Sequence, residues 1–106
     1  HGGRQLDAAP APFDLIGEVR AAVGDDFAII ADSGVRRGAD IAKMIAAGAD
    51  FVLAGRAFLY GAAAGGADGI RMSYDILRDE LDKCMGQIGA TDISALRTFG
   101  LRSAAA

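Results

Sequence analysis

Two short, continuous apolar runs constrain the fold of this chain more than any other feature. Residues 27–31 read Phe-Ala-Ile-Ile-Ala and residues 51–54 read Phe-Val-Leu-Ala, without alternating polar positions. This pattern is typical of parallel strands that are covered on both faces. Between the two runs, Ile41 and Ile45 follow helical spacing, and Gly48 lies where a helix would end. The sequence therefore predicts a β-α-β crossover.

Helices are predicted on both sides of this crossover. Pro12 is suited to a first helical turn, and the apolar stripe that follows it closes at Gly24. A second, longer stripe extends from Ile70 to Ile88 and is followed by Gly89. The order helix, strand, helix, strand, helix is that of an α/β protein with a parallel sheet.

Two strands are too few for a stable sheet of this kind. A two-stranded parallel sheet leaves edges and apolar faces uncovered, and a closed (β/α)₈ barrel needs roughly 200 residues. The chain has 106 residues. We therefore expect either a fragment of a larger domain or a sheet completed by another polypeptide, and we favour the fragment.

Composition excludes several classes of protein. Eleven basic and fourteen acidic residues are interspersed, which argues against a nucleic-acid surface. The single cysteine, Cys84, has no partner for an internal disulfide and no ligand-spaced companion for zinc, which fits a reducing compartment. No apolar run approaches the roughly 20 residues of a membrane span.

Both predicted strands are followed by loops that are suited to binding phosphate. The first loop, Asp32-Ser33-Gly34-Val35-Arg36-Arg37-Gly38, and the second, Gly55-Arg56-Ala57-Phe58, combine glycine with arginine. Glycine lets an anion approach the main chain, and arginine adds charged donors. Glycine-rich turns after strands also serve tight geometry alone, so the spacing leaves that reading open. We assign Arg36 and Arg56 to the anion and regard Arg37 as structural or surface.

The chain opens with His1-Gly2-Gly3-Arg4-Gln5-Leu6-Asp7. A histidine can accept a proton near neutral pH, and a neighbouring arginine can bind a carboxylate with two parallel hydrogen bonds. A 2-hydroxy acid is a substrate of that kind. Without further context, a terminal histidine beside glycines equally resembles a tag remnant or a frayed end.

In order and approximate spacing, these three motifs resemble those of the FMN-dependent 2-hydroxy acid dehydrogenase and oxidase family. That family includes enzymes of the lactate dehydrogenase, mandelate dehydrogenase and glycolate oxidase type. The resemblance implies that residues 1–106 are the carboxyl-terminal portion of a (β/α)₈ TIM barrel. They would comprise its last two strands and their helices, within one domain whose upstream strands are missing. Family residues that contact the flavin ring ahead of the histidine have no counterpart in this chain.

The resemblance also implies a role for each motif. His1 would be the catalytic base, and Arg4 would bind the substrate carboxylate. FMN would be the cofactor, its phosphate held by Asp32, Ser33, Gly34, Val35 and Arg36 together with Gly55 and Arg56. Oxidation through a carbanion and oxidation through hydride transfer both need the same base, so the sequence leaves both open.

Further expectations concern substrate, partners and location. Ser33 stands where many relatives have a second glycine, and with the stretches 30–34 and 54–60 it makes the chain resemble lactate and mandelate dehydrogenases, whose substrates are L-2-hydroxy acids. The serine hydroxyl could instead only bind phosphate or cap the next helix. The resemblance implies a homo-oligomer of the tetramer type, either cytoplasmic or peripheral on the inner membrane. An isolated chain of this length would be inactive. Tyr60 and Tyr74 are assigned to packing.

The sequence is also compatible with two other kinds of protein. The chain could be a phosphate-binding or flavin-binding half-barrel module of another class, which would use the strand-end loops but have no need of His1 and Arg4. It could also be an autonomous small domain with a structural role, although the open sheet argues against this reading.

Overall fold

The computed structural model describes residues 2–102. Their elements in order are α1 (Gly2–Gln5), α2 (Pro12–Val23), β1 (Ile30–Ala31), α3 (Gly38–Ala47), β2 (Phe51–Val52), α4 (Arg56–Ile88) and a 3₁₀ helix (Ser94–Thr98). The predicted alternation of helices and strands is therefore confirmed, with a parallel β-α-β unit at its centre.

The sheet consists of β1 and β2, which pair in parallel with Ile30 opposite Phe51 and Ala31 opposite Val52. Both strands are shorter than the apolar runs that predicted them, which cover residues 27–31 and 51–54. Only the positions that exchange hydrogen bonds with the neighbouring strand adopt regular strand structure, and each strand has one neighbour among residues 2–102.

The two faces of this sheet differ in burial. Ala31 is 6% exposed and, with Val52, packs against the helices. On the opposite face, Ile30, Phe51 and Leu53 are 57–62% exposed. The expectation of strands covered on both faces is therefore met on one face only within the described chain, because no element between residues 2 and 102 packs over the other.

Helix α3 lies between two small cores and joins them. Met44 packs with Ile16 of α2 and Ala31 of β1, whereas Ile45 packs with Leu96 of the 3₁₀ helix. Burying an aliphatic side chain of this size contributes about 1.5–3 kcal/mol. The two sides of α3 thus attach α2, the sheet and the carboxyl-terminal residues to one another.

Helix α4 is broken at two glycines. Gly65 and Gly66 have non-helical backbone angles, and Gly66 has a positive φ of 55°. The break turns α4 back on itself, so that Gly61 before it contacts Gly69 after it. A Cβ atom on Gly69 would lie 1.9 Å from the carbonyl oxygen of Gly61. We call residues 56–64 and 67–88 the first and second arms of α4.

Asp50 joins three elements at the edge of the sheet where β2 begins. Its carboxylate accepts hydrogen bonds from the Ile29 N–H at 2.7 Å and from Arg20 at 2.5 Å, and it pairs with Arg97. The Ile29 N–H, together with Arg97 and Arg20, lowers the pKa of Asp50 from 3.8 to about 2. In α/β barrels this edge is the one associated with stability rather than catalysis.

Candidate cofactor site

The loops that follow β1 and β2 line one open cavity of about 1080 Å³. Because the carboxyl ends of neighbouring parallel strands meet at the same edge of a sheet, these loops come together although α3 and β2 separate them in sequence. Arg4 of α1 lines the same cavity. The lining residues are Arg4, Asp32, Ser33, Gly34, Val35, Arg36, Leu53, Ala54, Gly55, Arg56, Ala57, Leu59 and Tyr60.

The first loop turns sharply at Ser33 and Gly34, whose φ angles are 79° and 82°. A left-handed conformation is readily adopted by glycine but is strained for serine. A Cβ atom on Gly34 would have no atom within 4 Å from the described residues beyond its own chain neighbours, so the main chain there is open to a ligand. Val35 next to it is 6% exposed and anchors the loop in the core.

The N–H groups of this loop fall into two sets. Those of Arg36 and Arg37 donate to the carboxylate of Asp40 at 3.0 and 2.9 Å, and that of Gly38 donates to Glu80 at 2.9 Å. Those of Gly34 and Val35 have no hydrogen-bond partner among residues 2–102. The second set is therefore available to an anion in the cavity.

The second loop leads directly into α4. The N–H groups of Phe58 and Leu59 both donate to the carbonyl oxygen of Gly55, each at 3.1 Å. The helix begins at Arg56, so the N–H groups of Arg56 and Ala57 have no partner within the helix, and both residues line the cavity. A Cβ atom on Gly55 would likewise meet nothing within 4 Å in the described part of the chain beyond its neighbours in sequence. Because this helix start is accessible, it favours the binding of a negatively charged group.

The charge of the cavity is predominantly positive. Arg4, Arg36 and Arg56 contribute guanidinium groups, and Asp32 contributes the carboxylate. The Ser33 hydroxyl donates to Asp32 Oδ1 at 3.3 Å. Arginine forks suit a phosphate or carboxylate, whereas an ionised aspartate can only accept hydrogen bonds and suits hydroxyl donors.

Most of the predicted site residues come together in this cavity. Arg4, the segment 32–36 and both Gly55 and Arg56 all line it. Arg37 points elsewhere and pairs with Glu80 at 2.8 Å, in keeping with the structural role predicted for it. His1 lies outside the described residues.

Five residues that line the cavity were not assigned to the site from the sequence, namely Leu53, Ala54, Ala57, Leu59 and Tyr60. Leu59 and Tyr60 are 63% and 66% exposed and line it from the first arm of α4. Tyr60 lies one helical turn after Arg56 and faces the same opening, so residues 2–102 do not supply the packing that was predicted for it. That four-residue spacing was the available signal. Tyr74, at 54% exposed, also lacks the predicted burial and lies beside Arg78.

The residues of the cavity fit FMN. A phosphate needs several donors around an approachable main chain, and the open Gly34 and Gly55 with Arg36 and Arg56 provide them. The hydroxyl groups of the ribityl chain need acceptors, and Asp32 provides one.

The described part of the chain contains neither a metal-binding cluster nor a membrane-spanning helix. Residues 2–102 contain no group of three or more histidine, cysteine, aspartate or glutamate side chains that could hold a metal ion. None of the helices in that range is both long and apolar enough to span a membrane.

Curated relatives are similar to nearly all of this chain. An L-lactate oxidase from Streptococcus iniae is 45% identical over 102 residues, which cover 96% of this chain and 25% of the relative. An (S)-mandelate dehydrogenase from Pseudomonas putida is 45% identical over 96 residues, covering 91% and 24%. The chain thus spans about a quarter of the length of these relatives.

Solved structures agree with this similarity. A soluble mutant of the membrane-associated (S)-mandelate dehydrogenase from Pseudomonas putida superposes with a TM-score of 0.84 at 44% identity, covering 91% of this chain and 27% of that one. A mandelate oxidase superposes with a TM-score of 0.88 at 40% identity, covering 92% and 30%. The fold is accordingly that of the carboxyl-terminal portion of a (β/α)₈ barrel, as the sequence predicted.

The family model described as FMN-dependent dehydrogenase matches residues 1–102. The cofactor of that family is FMN, in agreement with the donors and acceptors of the cavity. With this match and the identities above, the chain belongs to the FMN-dependent dehydrogenase family, the group of flavin oxidoreductases that its three motifs resemble.

Proposed function

We propose that the intact protein oxidises a small L-2-hydroxy acid of the lactate or mandelate type to the 2-keto acid, with FMN as cofactor. The observation that carries this proposal is that Arg4 and the two strand-end loops share one cavity. Relatives named L-lactate oxidase and (S)-mandelate dehydrogenase support the class of substrate. Residues 1–106 would then be the carboxyl-terminal part of one domain, completed by upstream strands.

The phosphate of FMN would lie between the two loops. The free N–H groups of Gly34 and Val35 and the start of α4 at Arg56 would donate to its oxygens. Arg36 and Arg56 would neutralise its charge with planar donors. Ser33 would shape the turn, and Asp32 would accept hydrogen bonds from ribityl hydroxyl groups rather than contact the anion.

Arg4 and His1 would act on the substrate. Arg4 reaches the cavity from α1 and would bind the carboxylate with two parallel hydrogen bonds, which fixes the face that the substrate presents. His1 precedes it by three residues and would accept a proton as the alcohol carbon becomes a carbonyl carbon. FMN supplies the acceptor for the two electrons that leave the substrate.

The remaining strands of the barrel would cover the open face of the sheet. Ile30, Phe51 and Leu53 are large apolar side chains that are mostly exposed in the described chain. Contacts to the flavin ring would come from those strands as well. We also propose that the intact protein is a homo-oligomer of the tetramer type and that it lies in the cytoplasm or at the inner membrane.

Anaerobic reduction of the bound flavin tests this proposal. The intact, FMN-loaded protein is mixed without oxygen with L-lactate, (S)-mandelate or glycolate, and the flavin absorbance is followed. We expect at least one L-2-hydroxy acid to bleach the flavin, while the matching D-enantiomer and the 2-keto product do not. A protein that retains FMN but is bleached by none of these acids would instead be a flavin-binding module without hydroxy acid oxidation.

A further inference from the structure

Two carboxylates hold the end of the loop that follows β1. Asp40, in the first turn of α3, accepts the N–H groups of Arg36 and Arg37. Glu80, in the second arm of α4, accepts the N–H group of Gly38 at 2.9 Å through Oε2 and pairs with Arg37 at 2.8 Å through Oε1. The contacts of Asp40 are with residues close to it in sequence, whereas the contact between Glu80 and Gly38 joins residues that are 42 positions apart.

The contact with Glu80 is close as well as polar. A Cβ atom on Gly38 would lie 2.1 Å from the backbone nitrogen of Leu81 and 2.5 Å from the carbonyl carbon of Glu80. The main chain of the loop therefore rests directly on the main chain of α4. Hydrogen bonding to Gly38 and pairing with Arg37 lower the pKa of Glu80, so its charged form is the one that makes these contacts.

We propose that Glu80 is a positioning residue for the FMN phosphate site. By binding Arg37 and the Gly38 N–H, Glu80 fixes the orientation of the loop. In that orientation, Arg36 and the N–H groups of Gly34 and Val35 face the cavity. This inference rests on the proposed function, because it requires that these groups bind the phosphate. Glu80 itself does not line the cavity.

The pairing also distinguishes the two consecutive arginines. Arg36 lines the cavity, whereas the Arg37 side chain, 72% exposed, is paired with Glu80. Removing the carboxylate would free Arg37 and the Gly38 N–H, and only Asp40 and the buried Val35 would still restrain the loop. Its phosphate donors would then be ordered only when the ligand binds, at a cost in affinity.

The test compares FMN with riboflavin, which lacks the phosphate. Flavin is removed from the intact protein, and the Kd of each ligand is measured by fluorescence quenching for the wild type and for variants. We expect Glu80→Ala to lower the preference for FMN over riboflavin about tenfold, the scale of one charge-assisted hydrogen bond. Glu80→Gln should lower it by only about twofold to threefold, since its amide oxygen still accepts from Gly38.

Three further variants make the result decisive. Asp82→Ala removes an exposed carboxylate two positions away and should leave the preference unchanged. Arg36→Ala and Arg56→Ala should lower it, as direct phosphate contacts do. If the two arginine variants lower the preference for FMN over riboflavin while Glu80→Ala and Glu80→Gln do not, Glu80 has only a structural role. The proposed phosphate site would then still be supported. If the two arginine variants leave the preference unchanged, the proposed phosphate site is wrong and the role of Glu80 falls with it.

Discussion

Ser33 is held in a backbone conformation that serine seldom adopts. Its φ of 79° places the Ser33–Gly34 turn against the cavity, and the neighbouring Val35 is buried in the core. Strain of this kind persists only where surrounding contacts impose it, and it concentrates at functional sites. The strained turn therefore supports the proposed role of this loop in binding a ligand.

Replacing Ser33 by glycine should therefore not destabilise the protein. Relief of the left-handed conformation is worth about 1–2 kcal/mol, and the greater freedom of glycine in the unfolded chain offsets about 0.4–1 kcal/mol of that. We expect Ser33→Gly to raise the urea midpoint of the intact apoprotein slightly. Ser33→Val, which is β-branched, should lower it. A clear loss of stability in Ser33→Gly would mean that the hydroxyl contact with Asp32 outweighs the strain.

At the scale of helices and strands, the sequence predicted where the helices begin and end more accurately than how they pack against one another. Pro12, Gly48 and Gly89 mark helix ends by local backbone preferences, and all three ends are where they were expected. The first arm of α4 was not anticipated, because residues 61–69 are mostly glycine and alanine and carry no apolar stripe. Its folding back on the second arm depends on a contact between glycines that periodicity cannot reveal.

The contact between Gly61 and Gly69 yields a paired prediction. A methyl group at position 69 would lie 1.9 Å from the Gly61 carbonyl oxygen, so the two arms of α4 must separate in Gly69→Ala. We expect a loss of about 1–3 kcal/mol in the free energy of unfolding, as for other overpacked sites. Gly86→Ala is the control, because its methyl group meets nothing within 4 Å, and helix propensity predicts a gain of about 0.5–1 kcal/mol. Equal effects of the two variants would refute the tight contact.

The Asp50 network predicts a specific dependence on pH. Folding lowers the pKa of Asp50 from 3.8 to about 2, so the folded state binds this proton less readily than the unfolded state. The stabilisation is therefore fully present above pH 3.8 and is lost as the pH falls toward 2. We expect the stability difference between wild type and Asp50→Asn to be constant near neutrality and to shrink below about pH 4.

Exposed Asp79 supplies the control for this experiment. Asp79→Asn should change the urea midpoint less than Asp50→Asn at neutral pH, because within residues 2–102 the Asp79 side chain has a polar contact with the adjacent Arg78 alone. A difference between wild type and Asp50→Asn that grows on acidification would contradict the ion pairs described for Asp50 with Arg20 and Arg97.

At the scale of the whole molecule, the described chain leaves one face of its sheet open. The fold class and the meeting of the two loops followed from two apolar runs and the residues after them. The exposure of Ile30, Phe51 and Leu53 could not be predicted from the sequence. A continuous apolar run predicts that both faces of a strand are buried, but it does not show which part of the protein packs against each face. Matches covering 24–31% of the relatives agree with a sheet that continues beyond these two strands.

Phe51 provides a test of that continuation. Although it is 62% exposed in the described chain, it would be a core residue in a closed barrel. In the intact protein we therefore expect Phe51→Ala to cost about 3–5 kcal/mol, as in other cores. Met72, 65% exposed on α4, is the comparison, and Met72→Ala should stay within about 0.5 kcal/mol of wild type. A near-neutral Phe51→Ala would mean that this face stays open to solvent.

We propose that this chain supplies both the phosphate site and the catalytic base of a flavin-dependent hydroxy acid oxidation. Anaerobic bleaching of the flavin in His1→Gln tests it most directly, in a protein first shown to bind FMN as tightly as wild type. Because the loops after β1 and β2 are unchanged, FMN binding should persist, while the bleaching rate with the preferred substrate should fall by about 10²–10⁴-fold. Bleaching at the wild-type rate would contradict the claim, since the oxidation would then proceed without this base.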